Sequence, residues 1–256
     1  MTRMSEPPRK EPYILRRPGG DVDRRRLFNA PGVVLLVAGI TVLSFLLMIA
    51  APERAARIIE SAAAVSPQRF AQGAQANGGL LNMMSPLFAH MFVHAGLAHL
   101  LINTLFFMAF GAPVARRMGA DDALGGFGAF YAALLFLSFY FLSGVVGALV
   151  YIAGHMSEHS LLVGASGGVS GLLGGLVRFA FNRTTLFGPE RARMSPLFSP
   201  PVIAWSSIIV VMNAGVGLFG GPLAGGADVA WEAHLGGYFF GLLFYPAFER
   251  AARGGR

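Results

Sequence analysis

The chain has 256 residues, 54% hydrophobic and 13% charged, with a mean hydropathy of +0.57, which places it among polytopic membrane proteins rather than soluble globules. It holds no cysteine, so disulfides, thiolate catalysis and cysteine-based metal sites are excluded, and any covalent chemistry falls to oxygen or nitrogen nucleophiles. The net charge of +7 is carried by arginine apart from Lys10 and sits between apolar runs, the pattern of cytoplasmic loops rather than of a nucleic-acid-binding patch.

Residues 1–29 are polar, proline-bearing and basic, with Arg16, Arg17, Arg24, Arg25 and Arg26, and are expected to form a disordered cytoplasmic arm near anionic lipid headgroups. A first span is expected over about 31–51, long enough for the hydrocarbon core and too long for a signal-peptide core, hence an uncleaved anchor. From 52 to about 85 the sequence is mixed, with Arg54, Arg57, Glu60 and Arg69. It reads as a long external loop whose amphipathic segment can lie in the membrane interface.

Five more spans are expected, over about 95–114, 126–151, 166–178, 201–219 and 230–248. The arm, the 116–117 loop, the 178–193 loop and the C-terminal end hold 8, 2, 4 and 3 basic residues, whereas the 152–163 and 220–229 loops hold none. Only the 52–85 loop, with three arginines, breaks this alternation, and long loops obey the rule poorly, so both termini are expected on the cytoplasmic side.

Three clusters of polar residues interrupt the apolar runs. The first is Gly164-Ala165-Ser166-Gly167, at the start of the fourth span. Glycines around a serine at a helix start clear space for its hydroxyl and let backbone approach closely. The same glycines, continued at Gly171 and Gly175, also suit tight packing between membrane helices with no chemistry at all. The second is His234 in the sixth span. Counted from the basic ends at 1.5 Å per residue, Ser166 lies about 18 Å from Arg178 and His234 about 24 Å from Arg250, so both fall at similar depth. A serine hydroxyl needs a base, and a neutral imidazole is a usual one, so Ser166 and His234 are candidates for a nucleophile–base dyad. Glu232 lies on another helix face and Asp228 in a loop, so no orienting acid is expected.

The third cluster is His90, His94, His99 and Asn103. His99 and Asn103 are one turn apart and share a face. Both side chains donate hydrogen bonds, which suits an oxyanion hole completed by the Ser166 N–H, although they would equally serve as cross-links within the bundle. His90 and His94 precede the helix and are expected to tie the loop down through backbone hydrogen bonds. No His-Glu-x-x-His pattern or nearby carboxylate accompanies the three histidines, so no metal and no cofactor is expected.

Taken together, His90-x3-His94-x4-His99-x3-Asn103, Gly164-x-Ser166-Gly167 and Ala233-His234-x2-Gly237-x3-Gly241 resemble the motifs of the rhomboid intramembrane serine proteases, in the same order and on the corresponding spans of the six-span bacterial type. The resemblance covers about residues 30–250. It implies an all-α, rhomboid-like bundle of six transmembrane helices over 30–250, preceded by the arm over 1–29 and followed by a cytoplasmic tail over 251–256. It further implies that Ser166 is the nucleophile, His234 the general base and acid, His99 and Asn103 the oxyanion side chains, and Gly237 and Gly241 the contacts that let the sixth helix approach the fourth. Substrates would be transmembrane segments of other proteins, cut near their outer ends, with small residues before the scissile bond.

Two departures stand out. Ser170 occupies a position where the family often has an aromatic ring packed on the catalytic histidine, so Tyr238, one turn after His234, is expected to substitute by packing or hydrogen bonding. Ser85-Pro86 replaces a Trp-Arg pair of the first loop. The alternative is a catalytically silent relative that binds transmembrane helices and steers their folding or degradation; a transporter, which would show internal repeats or charges deep within the spans, is not expected. One copy of the chain carries every candidate residue, so a monomer is expected to suffice for catalysis. The arginine-, alanine- and glycine-rich usage points to a bacterial inner membrane.

Overall fold

The structure, a computed structural model, describes residues 30–121, 125–181, 193–223 and 229–254. The expected basic arm, Asp122, Arg183, Arg191, Asp228 and Arg256 therefore lie outside the described residues. No strand occurs among the described residues, which form ten α-helices and one 3-10 turn.

Helix α1 spans Gly32–Ala50, apolar on all sides. It stops where Ala51 turns extended, because residue 51 precedes Pro52 and proline disfavours the helical region for its predecessor. The long segment that follows folds into short helices: α2 (Glu53–Ala63), α3 (Pro67–Ala76), α4 (Leu80–Met84) and α5 (Pro86–Ala89), then the 3-10 turn His90–Phe92. α2 is strongly amphipathic yet keeps Ile58 and Ile59 exposed, as expected of a helix in the membrane interface. Ser66 caps α3 by accepting from the Arg69 N–H at 3.3 Å, and Arg69 in turn donates to the Ser61 and Ala64 carbonyls that end α2.

The remaining helices are α6 (Leu97–Met118), α7 (Phe127–Gly154), α8 (Ser166–Val177), α9 (Pro200–Leu223) and α10 (Trp231–Gly254). α1, α6, α7 and the first 18 residues of α9 are long and apolar enough to cross a membrane. At 12 residues α8 is only about 18 Å long, short of the hydrocarbon thickness. It forms the centre of the bundle. Nine of its residues are buried, wrapped by α6, α7 and α10, while the exposed apolar side chains of α1, α6 and α9, such as Leu47, Leu105 and Val211, face outward.

A helix so enclosed needs small residues on most sides. A β-carbon on Gly168 would meet Tyr140 of α7, one on Gly174 would meet the Tyr238 carbonyl of α10, and one on Gly111 of α6 would touch Leu172. α8 and α10 run parallel with matched steps of four: Gly167 faces Gly237, Gly171 faces Gly241 and Gly175 faces Tyr245.

At its C-terminal end α10 continues to Gly254, so residues 251–254 of the expected tail are helical. Glu249, buried, reaches Arg117 of α6 at 3.0 Å and Arg253 one turn on at 3.0 Å, and the Arg117 guanidinium lies 4.5 Å from the centre of the Phe179 ring. This network gives the last turns of α10 a partner that an exposed tail would lack.

Candidate active site

Ser166 is the first residue of α8, so its N–H belongs to the turn that has no intrahelical partner. The approach to it is stitched to the first loop twice. Val65 and Leu162 exchange backbone hydrogen bonds of 3.0 and 2.9 Å, and the Gly164 N–H donates to the His90 carbonyl at 2.9 Å. Gly164 has two reasons to be glycine. Its φ is +110°, and the His99 imidazole lies on its open face, with Cε1 and Nε2 both 2.7 Å from where a β-carbon would stand.

His99 is thus brought directly beside the serine loop from α6. Its Nδ1 accepts from the Ala95 N–H at 3.4 Å, which leaves the proton on Nε2, the nitrogen that faces Gly164. Asn103, buried one turn below, donates one amide hydrogen to the His99 carbonyl at 3.0 Å. His94 packs edge-on against His99 with ring centres 5.1 Å apart, and His90 turns its Nδ1 to the Pro86 carbonyl at 2.9 Å. The His90 ring thus bonds within its own turn, while the His94 ring packs on His99. Burial pushes the pKa of both loop histidines down to about 4, opposed for His90 by its hydrogen bond to Pro86 and assisted for His94 by neighbouring His99, so each is neutral at pH 7.

His234 enters from the first turn of α10. The Ala233 carbonyl lies 3.5 Å from a β-carbon built on Gly167 and 2.5 Å from one built on Gly147 of α7, so the backbones beside Ser166 and His234 touch. The rings of His234 and His99 are within electrostatic range of each other. Gly237 lies against the Gly167 backbone and Gly241 against that of Gly171, so α8 approaches α10 with no side chain between them.

Two features escaped the sequence reading. His234 Nδ1 is hydrogen-bonded to Asn213 Oδ1 of α9 at 3.0 Å. Asn213 is an amide rather than an acid and sits 21 residues away on another helix, so spacing carries no signal for it. Glu232 lies elsewhere, 3.7 Å from His155 Nε2. Tyr238 does not turn its hydroxyl to His234: that group pairs with Ser206 Oγ of α9 at 2.7 Å, and the whole residue is buried between α8, α9 and α10. Ser170, half-buried, supplies no ring in its place.

The Rhomboid domain family matches residues 81–250, which takes in all three motifs. The chain is 30% identical over 156 residues to RHOMBOID-like protein 4 of Arabidopsis thaliana, an alignment covering 59% of this chain and 30% of that protein, so the chain spans less than a third of its relative's length. With four helices able to cross a membrane, the match makes this an integral, multi-pass membrane protein. The chain belongs to the rhomboid family.

Proposed function

We propose that the chain is an intramembrane serine endopeptidase in which Ser166 and His234 form the catalytic dyad. The observation that carries this reading is the side-chain-free contact between α8 and α10 at Gly167, Ala233 and Gly237, which sets the backbones next to Ser166 and His234 against each other. In the proposed reaction His234 Nε2 takes the Ser166 proton as Oγ bonds to the scissile carbonyl carbon. The carbonyl oxygen becomes an oxyanion held by the Ser166 N–H, His99 Nε2–H and the second amide hydrogen of Asn103. His234 then protonates the departing amine, leaving an acyl-enzyme, and in the second half takes a proton from the water that hydrolyses it.

The substrates proposed are transmembrane segments that unwind locally at their outer ends, since a helical peptide carbonyl is shielded by its own hydrogen bond. Six crossings by α1 and α6–α10, both termini on the cytoplasmic side and residence in a bacterial inner membrane complete the proposal. The absence of native cysteine makes the topology directly measurable. Ser5→Cys is expected to react with an impermeant maleimide only in inverted vesicles, and Ser157→Cys only in right-side-out ones.

The activity test is cleavage of a tagged single-span substrate in liposomes by the native chain, Ser166→Ala and His234→Ala. Cleavage by the native chain alone, with all three proteins folded, is the expected result. Binding without cleavage by the native chain across several helix-destabilised substrates would instead favour the silent, helix-binding reading.

A further inference from the structure

Asn213 presents a chain of hydrogen bonds with a single consistent set of proton positions. Its Nδ2 donates to the Ile209 carbonyl at 2.8 Å, one turn back on α9. A carbonyl accepts only, so the amide nitrogen is fixed on that side and Oδ1 on the other, toward His234 Nδ1 at 3.0 Å. Oδ1 also accepts only, so the imidazole proton must lie on Nδ1. The Nε2 lone pair is then the free one. That is the form a base for Ser166 requires; the opposite tautomer would carry its proton on Nε2, where none can be taken up.

We infer that Asn213 is a positioning residue of the active site, holding His234 as the Nδ1–H tautomer and in one ring orientation, in the role that an orienting acid or a packed aromatic ring would otherwise fill. The inference rests on the dyad proposed above. Two features converge on it: among the described residues no carboxylate is paired with His234, Glu232 lying against His155, and Ser170 is too short to support the ring from α8. When Ser166 gives its proton to Nε2, the imidazolium keeps its Nδ1–H on Asn213, and the amide dipole is already oriented toward the new charge. The residue is carried on α9, which meets α10 through the Ser206–Tyr238 and Asn213–His234 bonds and through Val202 and Ile209 packed on Tyr238 and Leu242.

The test combines turnover with a measurement that needs none. Asn213→Ala is expected to lower kcat by about 10- to 100-fold, part of what general-base catalysis supplies, with KM nearly unchanged, and Asn213→Asp, which keeps an acceptor, to recover much of the loss. In the Ser166→Ala background, nitrogen-15 NMR of labelled histidine is expected to show His234 as Nδ1–H with Asn213 and as mixed tautomers with Asn213→Ala. A folded Asn213→Ala with native kcat, or an unchanged tautomer, would overturn the inference and leave the dyad standing. A native chain that cleaves nothing would overturn the proposed function instead, and the tautomer measurement still decides what Asn213 does.

Discussion

The carbonyl oxygen of Gly171 occupies the space that a β-carbon on Gly241 would need. The obstructing atom is backbone inside a helix, so it cannot swing aside as a flexible side chain would. Gly241→Ala must therefore separate α8 from α10, and overpacking of this kind costs about 1–3 kcal/mol. The expected result is a lower unfolding temperature together with a loss of cleavage larger than the loss of folded protein, because separation of the two helices also draws His234 from Ser166. Thermal unfolding in detergent alongside single-turnover cleavage checks it; native behaviour in both would refute the packing argument. Gly39→Ala, with nothing near its β-carbon, is the matched control expected to leave both unchanged.

The proposed oxyanion donors should be separable from the proposed dyad. His99→Ala and Asn103→Ala are each expected to lower kcat by about 10²–10³-fold while KM moves little, the usual result of removing one such donor. Gly164→Ala should resemble His99→Ala for a different reason, since the added methyl group occupies the place of the His99 ring and alanine resists a φ of +110°. Equal losses in kcat for Gly164→Ala and the double variant Gly164→Ala/His99→Ala would show that the two act through one contact. Additive losses would count against it.

At the other end of the bundle, Glu249 lies 3.0 Å from Arg117 with both side chains buried. Glu249→Leu takes the carboxylate from a buried guanidinium and is expected to destabilise by about 3–5 kcal/mol, while the double replacement Arg117→Met/Glu249→Leu should recover most of that. Denaturant unfolding of the four-protein cycle measures the coupling. A double variant as unstable as Glu249→Leu would mean that the pair acts mainly through its other contacts, among them the bond from Arg253 to the Arg117 carbonyl.

His90 and His94 make stability depend on pH in a defined direction. Each is neutral in the folded chain with a pKa near 4, whereas an unfolded histidine titrates near its ordinary value of 6.5. The unfolded state therefore binds protons that the folded state refuses between these values. Stability is full above about pH 6.5 and is expected to fall as pH drops toward 4. His90→Asn, which keeps a donor for the Pro86 carbonyl, should flatten part of that slope in unfolding temperatures measured from pH 7.5 to 4.5. An unaltered slope would remove His90 as a cause.

The sequence by itself determined the long apolar helices and named Ser166, His234, His99 and Asn103 as candidates. Apolar runs broken by arginine and proline located α1, α6, α7 and α9 closely, because length and hydropathy are local properties. The start of α8 at Ser166 was legible because the glycine-rich segment and Arg178 bracket it. His99 and Asn103 could be paired by their spacing of four, which is a property of one helix. Tertiary structure alone decided what depended on distance across helices. Asn213 became the partner of His234 because α9 comes to rest on α10, and Tyr238 was drawn to Ser206 by the same packing. Likewise Glu249 near the end of α10 finds Arg117 on α6, 132 positions earlier in the chain. In each case a hydrogen bond or ion pair formed with a helix whose position no local pattern records.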